Sequence, residues 1–149
     1  MVVDTIITGV DIEHTDKQIV KVVFEWFELE KRRISKIAGD GTEFGICIDA
    51  VKRDGDVLAE TEDHIYVVAV APCHLIKITV HSMEEMGRLC FELGNRHLPL
   101  QMNEAEVRVP FDEPTYACLQ KLGFGAEEVT EPFTDFIVCK AHGHNPHHA

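Results

Sequence analysis

The sequence predicts an α+β chain: a small all-β domain, then a ferredoxin-like βαββαβ domain, then a disordered His-rich tail. Three observations carry that prediction. Short β-branched runs separated by Gly/Asp turns occupy the first seventy residues. Beyond them, strand patterns alternate with two stretches of helical period. The last nine residues show no pattern at all and contain four histidines. The expected boundaries are 1–72, 73–140 and 141–149.

In the first domain, Ile19-Val20-Lys21-Val22-Val23-Phe24 is apolar and rich in β-branched residues, as a strand requires. Ile34 to Ala38 and Phe44 to Ile48 alternate loosely, and Gly39-Asp40-Gly41 between them is a hairpin turn signal. A second turn at Arg53-Asp54-Gly55-Asp56 leads into Val57-Leu58-Ala59. Ile65 to Val70 is continuously apolar, the mark of a buried strand. Together these predict a small barrel or sandwich. Pro72 interrupts the pattern and marks a boundary.

In the second domain Leu75, Ile76, Ile78 and Val80 predict a strand. Ser82 then serves as an N-cap, with Glu85 three residues on to complete a capping box. Met83, Met86, Leu89, Cys90 and Leu93 fall on one face of an amphipathic helix. Gly94 is placed to stop that helix in the left-handed conformation. Strands are expected at 98–102 and 105–109. A second helix opens at Glu113-Pro114 and closes at Gly123, and a last strand runs from Phe133 to Cys139. The order βαββαβ is that of a ferredoxin-like sandwich. In the tail, Gly143 and Pro146 discourage helix and nothing apolar remains to bury, so it is expected to be mobile.

Composition narrows the function. With 45% hydrophobic and 27% charged residues, the 149-residue chain reads as a soluble globular protein. No apolar run approaches the roughly 20 residues needed to span a bilayer, so no membrane partner is expected. The first residues lack the basic segment of a signal peptide, which predicts a cytoplasmic location. A net charge of -12 repels phosphate backbones and argues against nucleic acid, while it concentrates cations. The five cysteines include no Cys-x-x-Cys, so neither a disulfide framework nor a thiolate zinc knuckle is expected. Metal chemistry would have to come from histidine.

His142, His144, His147 and His148 supply it, since a short His-rich tract is a compositional signal for metal binding. Imidazole titrates near pH 6.5 and is mostly neutral in the cytosol, leaving a nitrogen lone pair for an ion. Such donors suit nickel, copper and zinc, not magnesium or calcium. An expression tag or an idle tail is the plainer alternative, but Gly, Asn and Pro interrupt the run. His97, in Gly94-Asn95-Arg96-His97, is the second candidate, held where a helix gives way to a strand. One imidazole holds an ion weakly, but a two-fold axis near the residue would supply a second copy. His74 beside Cys73 offers a Cys–His pair, and His14, His64 and His81 read as solvated.

Phe91-Glu92-Leu93-Gly94-Asn95-Arg96-His97 resembles the signature of the urease accessory protein UreE family of nickel metallochaperones. Glu25-Trp26-Phe27-Glu28-Leu29-Glu30-Lys31-Arg32-Arg33 is similar to that family's early segment. Pro110-Phe111-Asp112-Glu113-Pro114-Thr115 with Lys121-Leu122-Gly123 matches one branch, and the His-rich end is also typical. The likeness covers nearly the whole chain. It implies a homodimer with an N-terminal domain of peptide-binding type, and His97 of each copy sharing one Ni(2+). The tail histidines would complete or feed that site. Zn(2+) or Cu(2+) would fit the same ligands. The implied task is delivery of nickel to the urease apoprotein, through accessory proteins that include the maturation GTPase. Some members carry a His-x-His pair near positions 107–111. This chain has Val107-Arg108-Val109-Pro110-Phe111 there, so that pair does not carry over.

Two rivals stand beside this reading. A metallohydrolase needs three fixed ligands, an open water position and a general base, and no His-Glu-x-x-His is present. An assembly module whose tail merely sequesters metal differs from a carrier only in delivery.

Overall fold

The computed structural model describes residues 1–138. The chain divides into two compact units, Met1–Ala71 and a second beginning at Pro72.

The first unit holds two three-stranded sheets. One joins β2 (Gln18–Phe24), β6 (His64–Val70) and β5 (Val57–Glu60), with β2 and β6 parallel. Along β2, Val20, Val22 and Phe24 turn inward while Lys21 and Val23 face out, the two-residue period of a half-buried strand. β6 lies at the centre of its sheet, which explains its unbroken apolar run. The other sheet joins β1 (Val2–Val3), β4 (Glu43–Cys47) and β3 (Arg33–Ile37). The expected hairpin links β3 and β4, with Gly41 in the left-handed conformation at φ 90°. Two elements escaped the sequence reading: β1, which is only two residues long, and a 3-10 turn at Trp26–Glu28.

Lys52 is fully buried, yet its ammonium is satisfied by three carbonyls: Lys31 O at 2.8 Å, Ala50 O at 3.1 Å and Ile48 O at 3.4 Å. The side chain ties two irregular stretches of backbone together. Burial outweighs the nearby acids Asp49 and Asp56 and lowers its pKa.

The second unit is a four-stranded antiparallel sheet carrying two helices among its described residues. The strands are β7 (Pro72–Thr79), β8 (Gln101–Met102), β9 (Glu106–Pro110) and β10 (Gly125–Pro132), in the order β10-β7-β9-β8. The helices are α1 (Met83–Asn95), after β7, and α2 (Glu113–Lys121), after β9. Fourth-first-third-second with a helix after the first and third strands is the ferredoxin-like arrangement. Ile76, Ile78, Val107 and Val109 from the sheet bury against Leu89 and Leu93 of α1 and Leu119 of α2.

Three expectations need correction. Among the described residues the last strand is β10 at Gly125–Pro132. The expected strand from Phe133 to Cys139 is absent over its described part, 133–138, apart from a single bridge at Ile137. Cys139 lies outside the described residues. β10 is an edge strand with exposed acids, so it shows no apolar run. Glu127 pairs with Lys77 at 3.4 Å, and Glu131 with Arg108. Phe133 and Phe136 instead stack on each other at 4.8 Å and are buried. The expected strand over 98–102 shrinks to Gln101–Met102, because Pro99 has no amide to donate. Finally, α1 runs through Gly94, which is not left-handed; that conformation falls on His97.

Candidate metal centre

The position of His97 follows from how α1 begins and ends. Ser82 caps the N-terminus by accepting the Glu85 amide at 3.0 Å. The Glu85 carboxylate reaches back one residue further than a capping box requires, accepting the His81 amide at 2.7 Å. Leu89 and Leu93 then anchor the helix in the core.

At the other end Arg96 is the last right-handed residue and His97 turns left-handed, with φ 56°. The His97 amide donates to Gly94 O at 3.0 Å and the Leu98 amide to Leu93 O at 3.5 Å. These two bonds define a Schellman motif, in which the residue after the cap is usually glycine. A side chain there costs roughly 1–2 kcal/mol, and His is tolerated better than most. Leu93 and Leu98, packed on the same core cluster, hold the turn in place. The result is an exposed histidine on a turn closed by two backbone hydrogen bonds.

A cavity of about 240 Å³ opens beside it, lined by Cys90, His97, Leu98, Leu100, Met102 and Ile137 among others. Met102 is 52% and Ile137 56% exposed, so the rim presents large apolar side chains to the outside. Ile137 is fixed there by paired backbone bonds with Leu100 at 2.8 and 2.9 Å. Val138, the final described residue, also lines this cavity. Burial pushes the Cys90 thiol up, so without a ligand it stays protonated.

His142, His144, His147 and His148 lie outside the described residues. Among the described residues, no three His, Cys, Asp or Glu side chains gather as metal ligands. Cys73 and His74 are neighbours on β7 and point to opposite faces of the sheet. His74 Nε2 lies 2.8 Å from Glu128 Oε1, and its ring stacks on Phe111 at 4.1 Å. The Cys73 thiol donates to Glu131 O at 3.7 Å. At the position of the missing His-x-His pair, Arg108 is bound to Glu106 and Glu131. The sequence reading missed Cys90 and Met102 as companions of His97. Cys90 was absorbed into the core-facing stripe, and its seven-residue offset from His97 was the available signal.

Residues 73–149 match the family model described as UreE urease accessory protein, C-terminal domain. The chain is 51% identical over 123 residues to the urease accessory protein UreE of Bifidobacterium longum subsp. infantis, covering 83% of this chain and 56% of that protein. It thus spans little more than half that relative's length. Against the UreE of Acetivibrio thermocellus it is 31% identical over 145 residues, covering 96% of this chain and 94% of the other. Against the UreE of Flavobacterium johnsoniae it is 32% identical over 141 residues, covering 91% and 85%. These matches place it among urease accessory proteins. The chain belongs to the UreE family. No helix among its described residues is long and apolar enough to cross a membrane.

Proposed function

We propose that the chain is a cytoplasmic nickel metallochaperone, a carrier and not an enzyme, that loads nickel into apo-urease during urease maturation. It works as a homodimer in which His97 from each copy binds one Ni(2+) ion. The observation that carries this reading is the left-handed, exposed His97 on the rim of an apolar cavity. An exposed imidazole on that rim can meet its own copy across a two-fold axis. Met102 and Ile137 supply the apolar surface that such a pairing would cover.

The tail histidines complete or feed the site. His142 lies four residues beyond Val138, a span of at most about 14 Å of extended chain from the cavity rim. Ligands that come and go suit hand-over better than storage. The recipient is the urease maturation machinery, including its accessory GTPase. By the order of intrinsic affinities copper outcompetes nickel for imidazole, so partner recognition and metal supply select the ion. Zn(2+) would occupy the same ligands.

Calorimetric titration with nickel tests the reading. Wild-type dimer shows a tight step that His97→Ala removes, and deletion of residues 142–149 lowers the number of ions bound. An unchanged tight step in His97→Ala would take His97 out of the site. Equal stoichiometry after the deletion would make the tail idle.

A further inference from the structure

The first unit carries a run of exposed cations, Lys31-Arg32-Arg33, in a chain of net charge -12. Lys17, Lys36, Lys77 and Arg108 are each paired with a carboxylate. The three residues of the run make no ion pair among the described residues. Glu28 beside them is taken by Lys36 at 2.6 Å, and Glu30 offsets one charge of the run. Their backbone is held. Lys31 O accepts from the buried Lys52 ammonium at 2.8 Å, and Arg32 O accepts the Ile48 amide at 2.9 Å. The run then enters β3, an outer strand that pairs only with β4 among the described residues. The bonds from Ala38 N to Thr42 O and from Ile48 N to Arg32 O fix the alternation of that pairing. Ile34 and Lys36 therefore bond to β4. The backbone amides and carbonyls of Arg33, Ser35 and Ile37 point outward, unpaired among the described residues.

We infer that this edge docks an extended acidic segment of a partner protein, which adds to β3 as a further strand and sets its carboxylates on Lys31, Arg32 and Arg33. Backbone bonds to an exposed edge supply the affinity of such an addition, and alternate side chains its specificity. Charge selects the occupant. Carboxylates form charge-assisted, bidentate bonds with arginine. A second copy would set the same cations against each other, which is one way edges avoid self-pairing. A nucleic acid would have to bring its phosphates up to a chain of net charge -12. Arg33 and Ile37 lie on one face of β3, and Ile37 is 69% exposed, so an acid beside the first and an apolar residue beside the second fit. Between them that face is low: Ser35 pairs with Gly45, and no atom lies within 4 Å of a Cβ built at Gly45. The surface belongs to the first unit and stands independently of His97 as a metal ligand.

The test is fluorescence anisotropy of the full chain with a labelled peptide of alternating Glu and Val, about ten residues long so that it can form one strand. Hydrogen exchange on the same complex reads the edge amides. Binding is expected, weakening as salt rises, with slowed exchange at Arg33, Ser35 and Ile37. Arg33→Glu is expected to weaken it about tenfold or more, whereas Lys121→Glu, the same change of charge on α2, leaves it within about twofold. A peptide of equal charge with Pro in place of Val cannot add as a strand and should bind about tenfold more weakly. No binding of the Glu–Val peptide at millimolar concentration overturns the site, as does undiminished binding by Arg33→Glu. Protection confined to other amides, or equal binding of the proline peptide or of oligothymidylate, would show a general polyanion patch and overturn the added strand. Dimerisation that Arg33→Glu abolishes would make the occupant a second copy and overturn the acidic partner.

Discussion

The two helices of the second unit end in the same way with different residues. α2 closes with the Gly123 amide on Gln120 O at 3.1 Å and the Phe124 amide on Leu119 O at 3.0 Å. α1 closes with the matching pair of bonds, from His97 to Gly94 and from Leu98 to Leu93. Leu119 and Phe124 at one end, Leu93 and Leu98 at the other, pack on one core cluster. The left-handed residue is glycine in α2, at φ 87°, and histidine in α1, at φ 56°. Where only geometry is at stake, glycine serves without strain. A histidine in the equivalent place carries the left-handed strain that glycine avoids and adds an exposed imidazole at the helix end.

The comparison can be broken at either helix. The largest effect expected is on metal: His97→Gly gives α1 the ending of α2 and should weaken the tight nickel step by more than about a hundredfold, since loss of even an outer-shell partner costs about 10–100-fold. Next is pH. Imidazole ligates only when neutral, so lowering pH from about 7.5 to about 5.5 protonates the ligands and releases nickel, read by equilibrium dialysis. Retention at the lower value would mean carboxylate or thiolate ligands.

Smaller effects concern stability. Gly123→His gives α2 the ending of α1 and should cost about 1–2 kcal/mol in urea unfolding without creating a metal site. No atom lies within 4 Å of a Cβ built at Gly123, so the cost is backbone strain and not collision. The reverse change, His97→Gly, should leave stability within about 0.5 kcal/mol, because relief of the left-handed strain is offset by the freer unfolded chain. A large loss of stability in His97→Gly would mean that the imidazole is structural.

Much of this frame was legible in the sequence because its cues are local. Ser82, Glu113-Pro114 and Gly123 announce helix ends within one turn, and Val20, Val22 and Phe24 announce a buried strand face. Gly94 misled because the rule is a glycine at the stop, and here the chain continues three residues to a histidine that normally would not be chosen. β10 was invisible because an edge strand need not be apolar: its register on β7 is set by backbone bonds, with Glu127, Glu128 and Glu131 pointing at cations or solvent. His97 stands out in the sequence as a candidate ligand, but its left-handed backbone and the cavity it shares with Cys90 emerge only from the folded turn. The tail histidines were legible by composition alone.

In the proposed dimer, two copies of His97 share one nickel ion. A crystal of the nickel-loaded protein, with anomalous scattering collected at the nickel edge, tests it most directly. The account predicts an anomalous peak on a two-fold axis, about 2.1 Å from an imidazole nitrogen of each His97, as metal–imidazole bonds require. A peak bound by one copy alone, or ligands that exclude His97, would contradict it.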